Sequence, residues 1–222
     1  MHSYIKPLAK EFKAVANKER AAGAKAYLKN QFEFFGIPMP ERRSLCKLHL
    51  KQFAINDASH FEEIVRELWA MDEREYQYFA IELMSYNKKL WNEPIISLFE
   101  YYIIHKSWWD TVDFIASDCT GPFFKMFPGK IEQVTGKWNT SDNMWLQRSS
   151  LLFQKNYKQY TNVVLLSKYI EHLSPSKEFF IRKAIGWALR EYAKTDSQWV
   201  LDFVKQHTLW PLSKREAVKN IK

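Results

Sequence analysis

Glycine is scarce in this sequence, six in 222 residues, and none of the six falls in a G-x-G or G-K-[ST] pattern. Backbone amides therefore have no loop in which to close on phosphates, which argues against kinases, ATPases and dinucleotide enzymes. Cysteine is scarcer still. Cys46 and Cys119 lie far apart, so a disulfide framework or zinc site is not expected, and both are read as buried thiols. Histidine forms no H-E-x-x-H pair among His2, His49, His60, His105, His172 and His207, and serine lacks the G-x-S-x-G elbow, leaving metal hydrolysis and the hydrolase triad without candidates. No apolar run approaches the roughly 18 to 20 residues that span a bilayer. The N-terminal MHSYIKPLAKEF alternates charge with apolar residues where a signal peptide would be continuously hydrophobic, so the chain reads as cytoplasmic, with no membrane partner.

What is abundant is charge and aromatic surface. Lys and Arg number 33 against 25 Asp and Glu, a net +8 that suits a polyanionic partner if gathered on one face. Aromatic residues make up 16% of the chain, including nine Trp, and rings fill the gaps between packed helices or offer stacking faces.

Apolar residues recur at three and four positions almost throughout, so the fold class is all-α. Helix-start signals follow at regular places. Asp72-Glu73-Arg74-Glu75, Ser107-Trp108-Trp109-Asp110 and Ser213-Lys214-Arg215-Glu216 match the capping box, and Ser141 and Ser176 are further candidate caps. The separations are 107−72 = 35, 141−107 = 34, 176−141 = 35 and 213−176 = 37. Second helices fit into the intervals, as at Glu93 to His105, Asn162 to Leu173 and Trp199 to His207. A helix pair cannot cover its own apolar face, so the expectation is a curved solenoid of stacked HEAT-like repeats, one domain over residues 1–222. Two capping helices are expected before the Gly36-Ile37-Pro38-Met39-Pro40 turn.

Three segments hold candidate chemistry. Asp113 lies four residues beyond Trp109, which puts a carboxylate and an indole on one helix face; the alternative is a core Trp109 and an Asp113 that pairs with a cation across helices. Trp145 and Arg148 are i, i+3 neighbours, and Arg148 fits either a phosphate contact or an internal carboxylate pair. Lys183, Trp187 and Arg190 form a stripe at i, i+4, i+7, with Gly186 leaving room beside Trp187 for another backbone or a ligand; the alternative is a core Trp187. Counted from Ser107 and Ser141 at about 100° per residue, Asp113 and Arg148 fall roughly 100° apart around their helices.

The strings PERRSL, REYQYFAIELM, KSWWDTVD, SDNMWLQR and SKEFFIRKAIGWALREYAKT resemble the AlkD family of bacterial DNA alkylation-repair glycosylases over nearly the whole chain. That resemblance implies a basic concave face that holds duplex DNA, a monomer acting in the bacterial cytoplasm and nucleoid, and no cofactor or metal. It also implies excision of positively charged alkylated purines, chiefly 7-methylguanine and 3-methyladenine, without full base flipping. Position by position, Asp113 resembles the catalytic carboxylate, Trp109 and Trp187 the indoles that pack on the lesion's sugar and backbone, and Arg148 the arginine that contacts DNA at the lesion. Tyr27, Lys29, Arg42, Arg43, Lys183 and Arg190 are the implied outlying phosphate contacts. The rival from another class is a non-catalytic helical-repeat protein that binds DNA or a protein partner. A metal-dependent nuclease would need a second acidic ligand at suitable spacing, which the sequence does not show.

Overall fold

The computed structural model describes residues 1–221, and among these the regular secondary structure is helical, with one isolated β-bridge between Glu33 and Glu73. Among the described residues no helix is long and apolar enough to cross a membrane. The chain divides into two compact units, 1–92 and a second from Glu93 onward.

The first unit contains α1 (Ile5–Ala14), α2 (Lys18–Tyr27), α3 (Met39–Gln52), α4 (Ala58–Ala70) and α5 (Arg74–Tyr86). α1 and α2 are the two helices expected before Gly36. In α1 the residues Ile5, Leu8, Ala9 and Phe12 are buried, a spacing that gives one apolar stripe. Each of the large side chains contributes about 1.5 to 3 kcal/mol on leaving water. α5 is buried almost all round, from Arg74 to Met84. Its Glu75 carboxylate accepts hydrogen bonds from the amides of Phe35, Gly36 and Ile37 at 3.1, 2.9 and 3.3 Å, pinning the turn onto the helix. Gly36 has φ +81°, and a Cβ there would lie 2.2 Å from the Asn17 carbonyl oxygen, so only glycine fits.

His49 of α3 is buried among Tyr4, Phe53 and Phe79, and its Nε2 has no hydrogen-bond partner. Burial lowers its pKa from 6.5 to about 4, against a smaller opposing effect of the Tyr4 backbone. The unfolded chain thus takes up a proton at higher pH than the folded one. Stability is full above 6.5 and declines as pH falls toward 4. In melting curves across this range, His49→Phe should flatten the decline relative to wild type; parallel curves would show that His49 does not contribute to it.

The second unit contains α6 (Ile95–Ile104), α7 (Trp109–Phe114), a π-helical turn (Ile115–Thr120), α8 (Gly121–Met126), α9 (Ile131–Asn139) and α10 (Met144–Leu152). It continues with α11 (Val163–Leu173), α12 (Phe179–Tyr192), α13 (Ser197–Gln206) and α14 (Pro211–Val218). α10 packs against α6, α7, α9 and α12, while α12 packs most extensively on α14. Cys46 of the first unit and Cys119 of the second are both buried and in no disulfide.

The caps differ from those expected. Ser107 Oγ donates back to the Ile103 carbonyl, Ser213 lies inside α14 and donates to the Arg182 carbonyl, and Ser141 and Ser176 sit two residues ahead of the residues that open α10 and α12. Side-chain caps come instead from Asn17, Asp57, Asn143, Asn162 and Asp196, each accepting a first-turn amide. The period survives: starts at 74, 109, 144, 179 and 211 give 109−74 = 35, 144−109 = 35, 179−144 = 35 and 211−179 = 32.

Candidate active site

Asp113 and Arg148 occupy equivalent places in successive repeats, four residues after the starts of α7 and α10, since 113−109 = 4 and 148−144 = 4. The 100° discrepancy arose from Ser107 and Ser141, which sit at unequal distances ahead of their helices. Counted from the true starts the two side chains share one angular position, and packed helices bring them together. Arg148 Nε donates to Asp113 Oδ1 at 2.6 Å and Nη2 to Oδ2 at 2.8 Å, a two-pronged fork with both residues buried. Nη1 donates to the Phe180 carbonyl. Three of the five guanidinium N–H groups are thereby committed within the protein.

This pair lies in a pocket of about 280 Å³ lined by Trp109, Asp113, Arg148, Phe179, Phe180, Lys183, Trp187, Arg190 and Glu216. Trp109 comes from the first turn of α7 and Asp113 from its second, just before the π-helical turn. Such turns widen a helix and recur at functional sites. Trp108, Trp145 and Phe180 pack ring on ring, with centroids 5.0 to 5.8 Å apart. Phe180 lines the pocket, so this cluster supports one of its walls. Asn143 caps α10 by accepting from the amides of Trp145 and Leu146, which fixes the turn that carries Arg148.

The stripe read from sequence converges on the same place. Lys183, Trp187 and Arg190 of α12 all line the pocket. Lys183 Nζ and Arg190 Nη1 bind the two oxygens of Glu216, at 3.0 and 2.8 Å. The hydrogen bond from Lys183, reinforced by both positive charges, lowers the Glu216 pKa below the usual carboxylate range. Gly186 makes that clasp possible: a Cβ there would meet the Glu216 Cβ at 2.5 Å and the Ser213 carbonyl oxygen at 2.9 Å. The room beside Trp187 is therefore taken by α14. Three cations and two carboxylates line the pocket, a formal balance of +3 − 2 = +1. Among the described residues, no group of three or more His, Cys, Asp or Glu is placed to hold a metal ion.

The remaining predicted contacts belong to the first unit. Tyr27 is exposed at the end of α2, and Lys29 and Asn30 follow it with φ near +60°. Arg43 is exposed on α3. Arg42 is buried, with Nη1 donating to Glu82 Oε1 at 2.8 Å and its guanidinium over the Tyr78 ring, so its fork points inward rather than at a surface. Sequence reasoning did not anticipate Phe179, Phe180 or Glu216 at the site. By its spacing Glu216 reads as the last residue of a capping box, and the two phenylalanines carry no signal beyond their apolar character.

The DNA alkylation repair enzyme family model matches residues 8–221. A predicted DNA alkylation repair enzyme from Enterococcus faecalis is 36% identical, with a TM-score of 0.87 over 93% of this chain and 96% of that one. AlkD2 from Streptococcus mutans is 18% identical, with a TM-score of 0.65 over 91% of this chain and 99% of its own, and smu.31 from Streptococcus mutans is 18% identical with 0.63 over 83% and 93%. No curated protein matches the chain.

Proposed function

Because this chain belongs to the DNA alkylation repair enzyme family, we propose that its pocket hydrolyses the N-glycosidic bond of cationic alkylated purines, 7-methylguanine and 3-methyladenine, in duplex DNA. The observation that carries this reading is a buried carboxylate, Asp113, oriented by Arg148 in the pocket that the indoles of Trp109 and Trp187 also line.

A purine alkylated at N7 or N3 carries a positive charge and takes both electrons of the C1′–N bond as it leaves, departing neutral. It needs no general acid. Positive charge then develops at C1′ and the ring oxygen of the sugar, and a carboxylate already oriented there stabilises the transition state more than the ground state. Water adds at C1′ and loses a proton, which Asp113 accepts. The indole faces favour the cationic base and sugar by about 0.5 to 2 kcal/mol each.

Arg148 is reassigned in this scheme from a phosphate contact to the residue that aims the carboxylate. Its two uncommitted N–H groups leave room for one further acceptor on the DNA. Lys183 and Arg190, drawn together by Glu216, offer the backbone a patch of net charge +2 − 1 = +1. Among its described lining residues the pocket has no Asn, Gln, Ser or Thr with which to read a purine edge. That lining suits an enzyme that approaches from the sugar and leaves the base largely stacked, in contrast to glycosylases that extrude it.

The test is base release from matched duplexes in single turnover, with chelator present. Release of 7-methylguanine and 3-methyladenine is expected, without release of uracil, hypoxanthine or unmodified guanine, which would leave as poor anions. Efficient removal of uracil or hypoxanthine, or retention of every cationic lesion, would overturn the mechanism. Retention together with tight duplex binding would favour the non-catalytic DNA-binding reading.

A further inference from the structure

Around the pocket, cations are matched with carboxylates: Arg148 with Asp113, and Lys183 and Arg190 with Glu216. Lys155 is an exception. It is half-buried just beyond α10, and among the described residues no carboxylate lies within ion-pair distance of it. Its Nζ sits instead 3.9 Å from the centroid of the Trp187 ring. Trp187 lines the 280 Å³ pocket and Lys155 does not; Lys155 lines a separate cavity of about 470 Å³, with Gln154, Ala188, Glu191 and Tyr192. The indole thus lines the Asp113 pocket while it carries the ammonium of a residue that lines another cavity.

We infer that Lys155 is a positioning residue for Trp187, its ammonium clamping the indole by its face and so setting the angle at which the ring meets the lesion. This rests on the glycosylase reading. An ammonium without a carboxylate partner is a costly way to fill a half-buried gap, because a methionine of similar length would pack there without desolvating a charge. Burial in fact lowers the Lys155 pKa. The charges of Asp113, Glu191 and Asp118 act in the opposite direction, and Lys194 reinforces the lowering. What the charge contributes is attraction to the ring face, which is directional where apolar packing is not. A swinging indole would still fill its wall of the pocket, but it would present its edge and its face in turn, and only the face attracts a cation.

Two measurements test the clamp. The first is direct: with lysines converted to ¹³C-dimethyl-lysine, which keeps the charge, the Lys155 methyl resonance should lie upfield of the other lysines through the ring current of Trp187. It should return to their envelope in Trp187→Leu. A Lys155 resonance inside the envelope in wild type would refute the clamp. The second is functional: Lys155→Met should slow single-turnover release of 7-methylguanine about tenfold, with duplex affinity changed by less than about twofold and melting temperature unchanged, and Lys155→Arg should restore most of the rate. An unchanged rate in Lys155→Met would overturn the proposal, as would an affinity that falls in step with the rate, which marks a phosphate contact. If the wild-type protein released no base, the glycosylase reading would fail and this positioning role with it, while the methyl resonance would report separately on whether the clamp exists.

Discussion

Asp113→Asn is expected to slow release of 7-methylguanine by about 10²- to 10³-fold while leaving duplex affinity nearly unchanged. The amide keeps the shape of the carboxylate and loses the charge, and the charge matters most when the sugar becomes cationic. Ground-state binding gains little from an acid close to DNA phosphates, so affinity is expected to hold or to rise slightly. The buried fork complicates the experiment in a calculable way: Asn offers Arg148 one acceptor oxygen where Asp offers two, and sets its NH₂ against the other donor. Single-turnover rates must therefore be read beside a melting curve and a binding isotherm. Wild-type rates in a folded Asp113→Asn protein would return this pair to the ordinary role of an internal ion pair.

Arg148→Ala should cost about 3 to 5 kcal/mol of folding free energy, the range expected when one partner of a buried pair is removed. It leaves the Asp113 carboxylate without its fork and the Phe180 carbonyl without its donor. Base release should fall further than stability explains, because a carboxylate without its fork is free to change rotamer. Arg148→Lys should recover part of the stability and little of the rate, since an ammonium supplies charge without two parallel donors. Denaturant unfolding curves decide the matter: an Arg148→Ala protein as stable as wild type would show that the fork does not hold the site together. A variant in which rate and stability fall in strict proportion would remove Arg148 from the chemistry.

The candidate site was legible in the sequence as residue types at helical spacing. Trp109 with Asp113 at i+4, and Lys183, Trp187 and Arg190 at i, i+4, i+7, had to share faces if the segments were helical at all, because 3.6 residues per turn leaves no other outcome. The all-α class and the repeat near 35 residues were likewise fixed locally, by apolar periodicity and by the regular return of helix-start chemistry. The local signals identified helix starts without locating them to the residue. Ser141 reads as a cap two positions early, while Asn143 does the capping, and Ser176 reads as a cap two positions ahead of Glu178, which opens α12 with no side-chain cap.

That small error is what hid the convergence of Asp113 and Arg148. One residue of phase is about 100° around a helix, so a cap misplaced by one residue turns two facing side chains apart. Tertiary structure settled the phase, since it placed both residues at the fifth position of successive repeat helices. It also settled which partner each charge takes, something a sequence does not encode pairwise: Arg42 turns inward to Glu82, Lys183 and Arg190 close on Glu216 and Lys155 rests on Trp187. Periodicity dictates the face a side chain occupies. What it meets there depends on which turn of which helix packs opposite, and that is determined only when the whole set of apolar faces is buried together.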